Sequence, residues 1–381
     1  MEYTRLKDIA TFPTGKLNSN AAVEDGVYPF FTCSHEALRI DSYSYDGEYV
    51  LLGGNNANGD FPIFYYKGKF DAYQRTYMIQ SRIPEKYSTK YLYYAISLRL
   101  SQMKRHAAGT ATKFLTQPIL KNIYIEDHSR NVQDQIISVL SAYDNLIEVN
   151  NKRIKVLEQM AENLYKEWFV RFRFPGHETA VFENGMPKGW ERARISKYYI
   201  TSSGGTPSRE TEEYYENGTI PWIKTGEMQD CLLIETEEKI TEEAVKKSSA
   251  QLFSKDSVLM AMYGVNIGKL AYSTMDATCN QACCVFKDRR GINTKHYLFH
   301  CLMSIRDYLL LISFGAAQQN LSQDLIKRIR ILRPDDATLT AFERAIEPLY
   351  IERKHLLGLN SKLIKQRDLL LPRLMSGKLE V

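Results

Sequence analysis

The chain has 381 residues, 44% of them apolar, enough for two or three domains each with a core, so a disordered or fibrous protein is excluded. Its 50 Lys and Arg against 45 Asp and Glu leave a net charge of +5, so there is no polybasic tail and any nucleic-acid contact must come from local patches. Six cysteines, an opening MEYTRLKDIATFP without a secretory pattern, and no apolar run near the roughly 18 to 20 residues of a membrane span predict a reduced, soluble, cytoplasmic protein.

In chain order, residues 1–129 read as a globular domain of short β-rich runs with a helical stretch near Tyr91–Met103. Up to position 125 it carries 15 basic and 11 acidic side chains. Residues 130–171 read as a long helix. Ile136, Leu140, Tyr143, Ile147, Asn150, Ile154, Leu157, Ala161, Leu164 and Trp168 alternate steps of four and three, the seam of a coiled coil. Helix and linker together are acidic, with 7 basic and 10 acidic residues over 126–185. Residues 172–190, FRFPGHETAVFENGMPKGW, form the linker, broken by Pro175, Gly176, Gly185, Pro187 and Gly189. Residues 191–335 read as a second globular domain, with strand-like TIPWIKT, SVLMAMY and QACCVF and a helical stretch over Tyr297–Leu311. Residues 336–381 form a second long helix with its own seam: Ile346, Tyr350, Arg353, Leu357, Asn360, Ile364, Arg367, Leu371 and Leu374. Each seam carries one Asn at mid-helix, Asn150 and Asn360, a residue that lowers stability there but can fix register.

The order domain, helix, domain, helix is an internal repeat. GTATKFLTQPILKNIYI, Gly109–Ile125, lies 206 positions before GAAQQNLSQDLIKRIRI, Gly315–Ile331, and seven residues coincide. The same offset pairs KYLYY, ending at Tyr94, with HYLFH, ending at His300, and Tyr73-Gln74-Arg75 with Cys279-Asn280-Gln281. Val50-Leu51-Leu52 pairs with Val258-Leu259-Met260 at an offset of 208, so loops of unequal length intervene. The fold class is therefore α+β: two pseudo-repeated mixed domains separated by two long helices that form an antiparallel intramolecular coiled coil. A seam alone points to dimerisation, but a second copy in the same chain is a partner at far higher effective concentration. A helix from Ile136 to Trp168 is about 50 Å long, on the order of one to one and a half turns of B-DNA. Two unlike domains on such a spacer would read an asymmetric, bipartite site. The competing class is an adaptor whose domains bind proteins, not DNA, and whose helices homodimerise.

The second half carries SSGGTPSRE at Ser202–Glu210, IPWIKTGEM at Ile220–Met228, MYGVNIGKL at Met262–Leu270, CNQACCVF at Cys279–Phe286 and GAAQQNLSQ at Gly315–Gln323. With FRFPGHE, MPKGW and the terminal RLMSGKLEV, these motifs resemble, across essentially the whole chain, the specificity subunits of Type I restriction-modification systems. The first half departs from the pattern, with TFPTGKLNS for SGGTPS and GGNNANGDFPIFYYKGKFDAYQRTYMI for the YGVNIGK segment. The resemblance implies two target recognition domains on helical spacers. It also implies binding to double-stranded DNA and assembly with two methyltransferase subunits that use S-adenosylmethionine to methylate adenine. Two restriction subunits that use ATP and Mg join optionally.

No catalytic pattern or cofactor site is expected in this chain. GVNIGK lacks the spacing and the Ser or Thr of a Walker A loop, and GGNNANGD lacks its Lys. No G-x-S-x-G is present, nor the Asn/Asp-Pro-Pro-Tyr/Phe of an adenine methyltransferase. Cys279, Cys283 and Cys284 lie on an apolar run and read as small buried hydrophobes, with no metal.

Candidate DNA contacts are donors near turns that let the backbone approach. In the first domain these are Lys16, Asn55, Asn56, Asn58, Gln74, Arg75, Thr112 and Lys113. In the second they are Ser203, Thr206, Arg209, Lys224, Tyr263, Asn266, Lys269, Gln318 and Gln319. Arg328, Arg330 and Arg333 read as a solvated face. For partner subunits, Trp168, Phe169 and Val170 form the expected docking patch, the alternative being that they close the intramolecular seam, with Glu158, Glu162, Glu167, Lys362, Lys365 and Asp368 on the outer helix faces.

Overall fold

The computed structural model describes residues 2–55, 61–106, 115–313 and 320–380. The chain divides into two compact units, Met1–Glu148 with Lys362–Val381, and Val149–Ser361. Each contains one globular fold and a stretch of both long helices.

The first unit is built on a six-stranded sheet in the order Ala10–Thr11, Thr76–Ser81, Tyr45–Gly53, Ile63–Ala72, Tyr28–Phe31, Leu38–Ile40. All pairings are antiparallel except that of Tyr28–Phe31 with Ile63–Ala72. The run Val50-Leu51-Leu52 is apolar without alternation because both faces of its strand are covered. Val50 and Leu52 pack with Tyr91, Leu92, Ala95 and Ile96 of helix Thr89–His106, while Leu51 packs with Phe31, Phe70 and Met78 on the other side. Ile136 and Leu140 of the central helix and Leu374 and Met375 of the C-terminal helix close the first of these clusters.

The second unit repeats the plan. Its five-stranded sheet runs Tyr199–Ser203, Cys283–Asp288, Ser257–Ala261, Leu270–Ser273, Cys231–Leu233, so the first four positions are filled in the same chain order as in the first unit. Val258 and Met260 face the helical side, Leu259 and Ala261 the other. Cys279 and Cys283 lie in that second cluster and Cys284 in the first, all three fully buried, as the apolar run suggested. A three-stranded sheet of Glu238–Ile240, Ile220–Ile223 and Thr278–Cys279 is added here. The repeat extends to where each domain meets its helix. Tyr94 donates to the Asp144 carboxylate at 2.6 Å, and 206 positions on, His300 Nε2 lies 3.1 Å from the Tyr350 hydroxyl.

The central helix runs Arg130–Tyr165 and ends in a π-helical turn, Lys166–Val170; the C-terminal helix runs Asp336–Met375. Within each unit they are antiparallel. In the first unit Arg367 binds Asp144 at 2.8 Å; in the second Arg153 binds Glu352 and Arg353 binds Glu158, both at 2.6 Å. The seam residues Ile136, Leu140, Ile154, Ala161, Ile346, Tyr350 and Leu374 are buried. Ile364 departs furthest from the expected seam, exposed while its neighbour Leu363 is buried, because a helix of 3.6 residues per turn drifts off a 3.5-residue repeat. The two seam asparagines meet, Asn150 Nδ2 donating to Asn360 Oδ1 at 2.8 Å, and Asn360 Nδ2 donates in turn to Asn151 at 2.9 Å. Asn360→Leu alone orphans the buried Asn150 amide and is expected to lower stability by about 1 to 3 kcal/mol, much of it recovered in the Asn150→Leu, Asn360→Leu double variant. Thermal unfolding of the two variants checks this.

The expected docking patch is largely internal. Trp168 and Phe169 are only 7% and 3% exposed. Phe169 meets Phe342 at 4.8 Å and Tyr297 at 4.9 Å, and Trp168 meets Phe342 at 5.6 Å, so these rings close the second unit's core; Val170, 56% exposed, stays on the surface. The linker is also held down: Phe174 packs on Trp190 at 5.0 Å, and Trp190 Nε1 donates to Asp335 at 2.9 Å. Among the described residues no helix is long and apolar enough to cross a membrane.

Candidate nucleic-acid interface

In the first unit, segments far apart in sequence meet around the turn that joins Ile63–Ala72 to Thr76–Ser81. The segment after Ala10–Thr11 lies against the Gln74-Arg75 turn: Gly15 N donates to Thr76 O at 3.1 Å, Gln74 N to Leu17 O at 2.9 Å, and Gln74 Nε2 to Asn18 Oδ1 at 3.1 Å. Gly54 N donates to Arg75 O at 2.9 Å and Leu115 N to Gly54 O at 3.0 Å. Lys16, Asn55, Gln74 and Arg75 are thereby brought together. Lys16, Gln74 and Arg75 are exposed and Asn55 half-buried.

The second unit builds the same junction. Gly205 N donates to Cys279 O at 2.9 Å, the Thr206 hydroxyl donates to Gln281 Oε1, and Met262 N donates to Ala282 O at 2.8 Å. Leu321 N donates to Met262 O at 2.7 Å, the counterpart of Leu115 on Gly54, and Tyr263 bridges to Asn320. Ser203, Thr206 and Tyr263 are gathered here. Gln281 and Asn280 belong to the same cluster and were not among the expected contacts, although the 206-residue offset pairs them with Arg75 and Gln74. Glycine makes both junctions possible. A Cβ on Gly15 would lie 2.0 Å from Ala72 O, and one on Gly204 would lie 1.8 Å from Cys279 O, so each glycine rests with its backbone directly on the backbone of the facing segment.

Four expected contacts lie in two other networks, each already holding a partner within the chain. The Arg209 guanidinium sits 4.3 Å from the Tyr215 ring centre and 2.8 Å from Glu238. Lys224 lies 2.9 Å from Glu237 and 3.0 Å from Glu238, and hydrogen bonds to these two carboxylates raise its pKa. Lys269 binds Asp230 at 2.8 Å, beside Arg306 at 2.9 Å. Burial opposes the ionisation of Asp230, but hydrogen bonds from Lys269, Leu270 N and Arg306 hold its carboxyl below the usual range. Asn266 donates to Thr225 O at 2.8 Å and accepts from Gln229 at 3.2 Å. Together these bonds fasten the loops around residues 225–230 and 263–269 to each other. Asn56, Asn58, Thr112, Lys113, Gln318 and Gln319 lie outside the described residues.

Arg333 is not part of a solvated face. It is 2% exposed, its guanidinium 4.4 Å from the Tyr198 ring centre and 3.2 Å from Asp336, whereas Arg328 and Arg330 are exposed. His296, Glu343 and Glu347 are the one group of three possible metal ligands among the described residues. The carboxylates there already serve the fold: Glu343 accepts from Tyr297 N at 2.9 Å and lies 2.8 Å from His296 Nδ1, and the Lys295 ammonium stands 3.2 Å from Glu347.

Comparison with known proteins identifies this plan. The family described as Type I restriction modification DNA specificity domain matches residues 1–159 and 187–338. The chain belongs to this family. Specificity subunits of Type I systems are non-catalytic, and this member follows the same two-domain layout. It is 28% identical over 308 residues to the Type I restriction enzyme MjaIX specificity subunit of Methanocaldococcus jannaschii, covering 77% of this chain and 69% of that one. It is 31% identical over 174 residues to the EcoDI specificity subunit of Escherichia coli, covering 46% and 38%. The crystal structure of the Type I restriction-modification S subunit from M. genitalium shares the fold, with a TM-score of 0.61 at 14% identity over 98% of this chain and 96% of that one.

In this specificity subunit the charged outer positions of the helices are largely engaged in local ion pairs. Glu162 binds Lys166 at 2.6 Å, Glu167 binds Arg171, Glu158 binds Arg353, and Asp368 binds Arg367 at 2.8 Å.

Proposed function

We propose that residues 1–129 and 191–335 are two target recognition domains, each reading one half of an asymmetric bipartite site on double-stranded DNA. The helices 130–171 and 336–381 set the spacing. Their outer faces, with Val170, dock two methyltransferase subunits, which supply S-adenosylmethionine and the methyl transfer to adenine. Two restriction subunits using ATP and Mg join where the host has them.

The observation that carries this reading is the same loop junction in both units with different side chains on it. Lys16, Asn55, Gln74 and Arg75 stand in the first where Ser203, Thr206, Tyr263 and Gln281 stand in the second. A common scaffold with unlike donors and acceptors suits two readers of unlike sequences, since base edges are distinguished by hydrogen-bond pattern.

The test is methylome sequencing of a host expressing this chain with its methyltransferase partner, against the same host without it. A split motif with methylated adenine in both halves is expected. Replacing residues 191–335 with the corresponding segment of another family member should change one half of that motif and leave the other. No new methylation, with the methyltransferase active beside a different specificity chain, would refute the reading.

A further inference from the structure

Each unit contains a two-stranded antiparallel ribbon that ties the globular fold to its helix. Tyr3–Arg5 pairs with Tyr124–Glu126 in the first, and Glu191–Arg194 pairs with Arg330–Arg333 in the second. The registers align the two ribbons residue by residue: Arg5 is opposite Tyr124, and Arg194 is opposite Arg330. Tyr3, Arg5 and Tyr124 therefore occupy the positions of Arg192, Arg194 and Arg330. Alternation along a strand puts the three second-unit arginines on one face. They are exposed, while the intervening Ala193 and Ile331 are buried.

The two faces differ in how their charge is handled. In the first ribbon Arg5 lies over the Tyr124 ring at 5.6 Å and Arg99 over the Tyr3 ring at 5.8 Å. In the second both tyrosines are replaced by arginine, and among the described residues no carboxylate pairs with Arg192, Arg194 or Arg330. The three line an open depression of about 340 Å³ together with Ala193, Ser196, Lys197 and Glu191. Glu191 is taken by Lys197 at 2.5 Å and by the Tyr198 hydroxyl. Exposed Arg328 adds a further cation close by in sequence.

Like charges directly opposite on paired strands destabilise the pair, so Arg194 facing Arg330 does nothing for folding. Guanidinium forks side by side suit a row of phosphate oxygens. We propose that Arg192, Arg194 and Arg330 are a phosphate-backbone clamp on duplex DNA, present in the second unit only. The inference rests on the reading of this chain as a DNA specificity subunit and adds to it a sequence-independent anchor distinct from the residues that read bases.

The experiment uses the full chain assembled with its methyltransferase partner. Affinity for a duplex carrying the methylated motif, and for one lacking it, is measured from about 50 mM to about 200 mM salt. Each phosphate contact contributes about 0.9 to the slope of log affinity against log salt, so the Arg192→Gln, Arg194→Gln, Arg330→Gln variant should lose about 2.7 from that slope on both duplexes. That is about a forty-fold smaller loss of affinity across the range. The methylated motif should be unchanged, whereas Arg5→Gln in the first ribbon should leave the slope alone. Arg194→Gln should raise the Tm of the free chain, because the opposed charge is gone, which also shows that the variant is folded. An unchanged slope overturns the clamp. So does loss of methyltransferase association with the slope intact, which would assign the arginines to an acidic protein surface. If the unaltered assembly shows no salt-dependent duplex binding at all, the DNA-reading conclusion itself fails.

Discussion

Gly204→Ala is expected to abolish the native fold of the second recognition domain. The added Cβ would sit 1.8 Å from Cys279 O and 2.5 Å from Cys279 C, both backbone atoms that cannot swing aside as the end of a side chain does. Relief requires the segment Gly204–Thr206 to lift off Cys279, which breaks the Gly205 N to Cys279 O bond and the Thr206 contact to Gln281. Trp222 Nε1 would lose its acceptor, Gly205 O, at 3.1 Å, in the same movement. A backbone clash combined with the loss of a buried hydrogen bond belongs to the class of substitutions that cost more than about 4 kcal/mol. Gly226→Ala is the control, because a Cβ there meets nothing within 4 Å, and it should be neutral. Denaturant unfolding distinguishes the two. In the methylation assay Gly204→Ala should erase recognition of one half-site, and Gly15→Ala, with its Cβ 2.0 Å from Ala72 O, should erase the other. A folded Gly204→Ala protein with an unchanged motif would show that the junction does not position the reading residues.

Much of this architecture is legible in the amino-acid order because the chain repeats itself. Seven coincident residues at one offset identify two copies of one unit, and 3.5-residue apolar spacing identifies two helices, because both signals are local and periodic. Asn150 and Asn360 stand out as polar residues on apolar seams, and they do meet. What stays hidden depends on partners distant in sequence. Trp168 and Phe169 read equally as a surface patch or as internal packing until Phe342 and Tyr297 are folded against them. Arg333 is desolvated while its neighbour Arg330 is not, because strand alternation points them to opposite faces of the ribbon. Arg209, Lys224 and Lys269 are recognisable as cations on turns, but the carboxylates that hold them, Glu238 and Asp230, arrive from other strands and loops. Gln281 is within reach of the repeat, since the register that pairs the two halves sets it against Arg75.

Acid should weaken the second unit through one histidine. His300 is buried against the C-terminal helix, its Nε2 3.1 Å from the Tyr350 hydroxyl and its ring 5.8 Å from that of Tyr165. Burial, reinforced by His296 and Arg353, pushes its pKa from the ordinary 6.5 down to about 3. In the folded chain the imidazole is neutral; in the unfolded chain it takes up a proton below about pH 6.5. The unfolded state therefore binds more protons in that window, so this stabilising contribution is intact above pH 6.5 and is lost as the pH falls toward about 3. The slope is at most about 1.4 kcal/mol per pH unit, so a drop from near neutrality to about pH 4.5 removes roughly 2 to 3 kcal/mol. His300→Gln removes the titration, so its stability should fall less steeply over that range, with the difference between the two proteins shrinking as the pH drops. Parallel curves would show that His300 is not held neutral by its surroundings. The first unit has Tyr94 and Asp144 at the matching contact, so this histidine's share of the acid sensitivity belongs to the second unit alone. Limited proteolysis near pH 4.5 should accordingly show slower cleavage within 191–335 for His300→Gln, relative to neutral pH, than for the unaltered chain, and no difference between the two within 1–129.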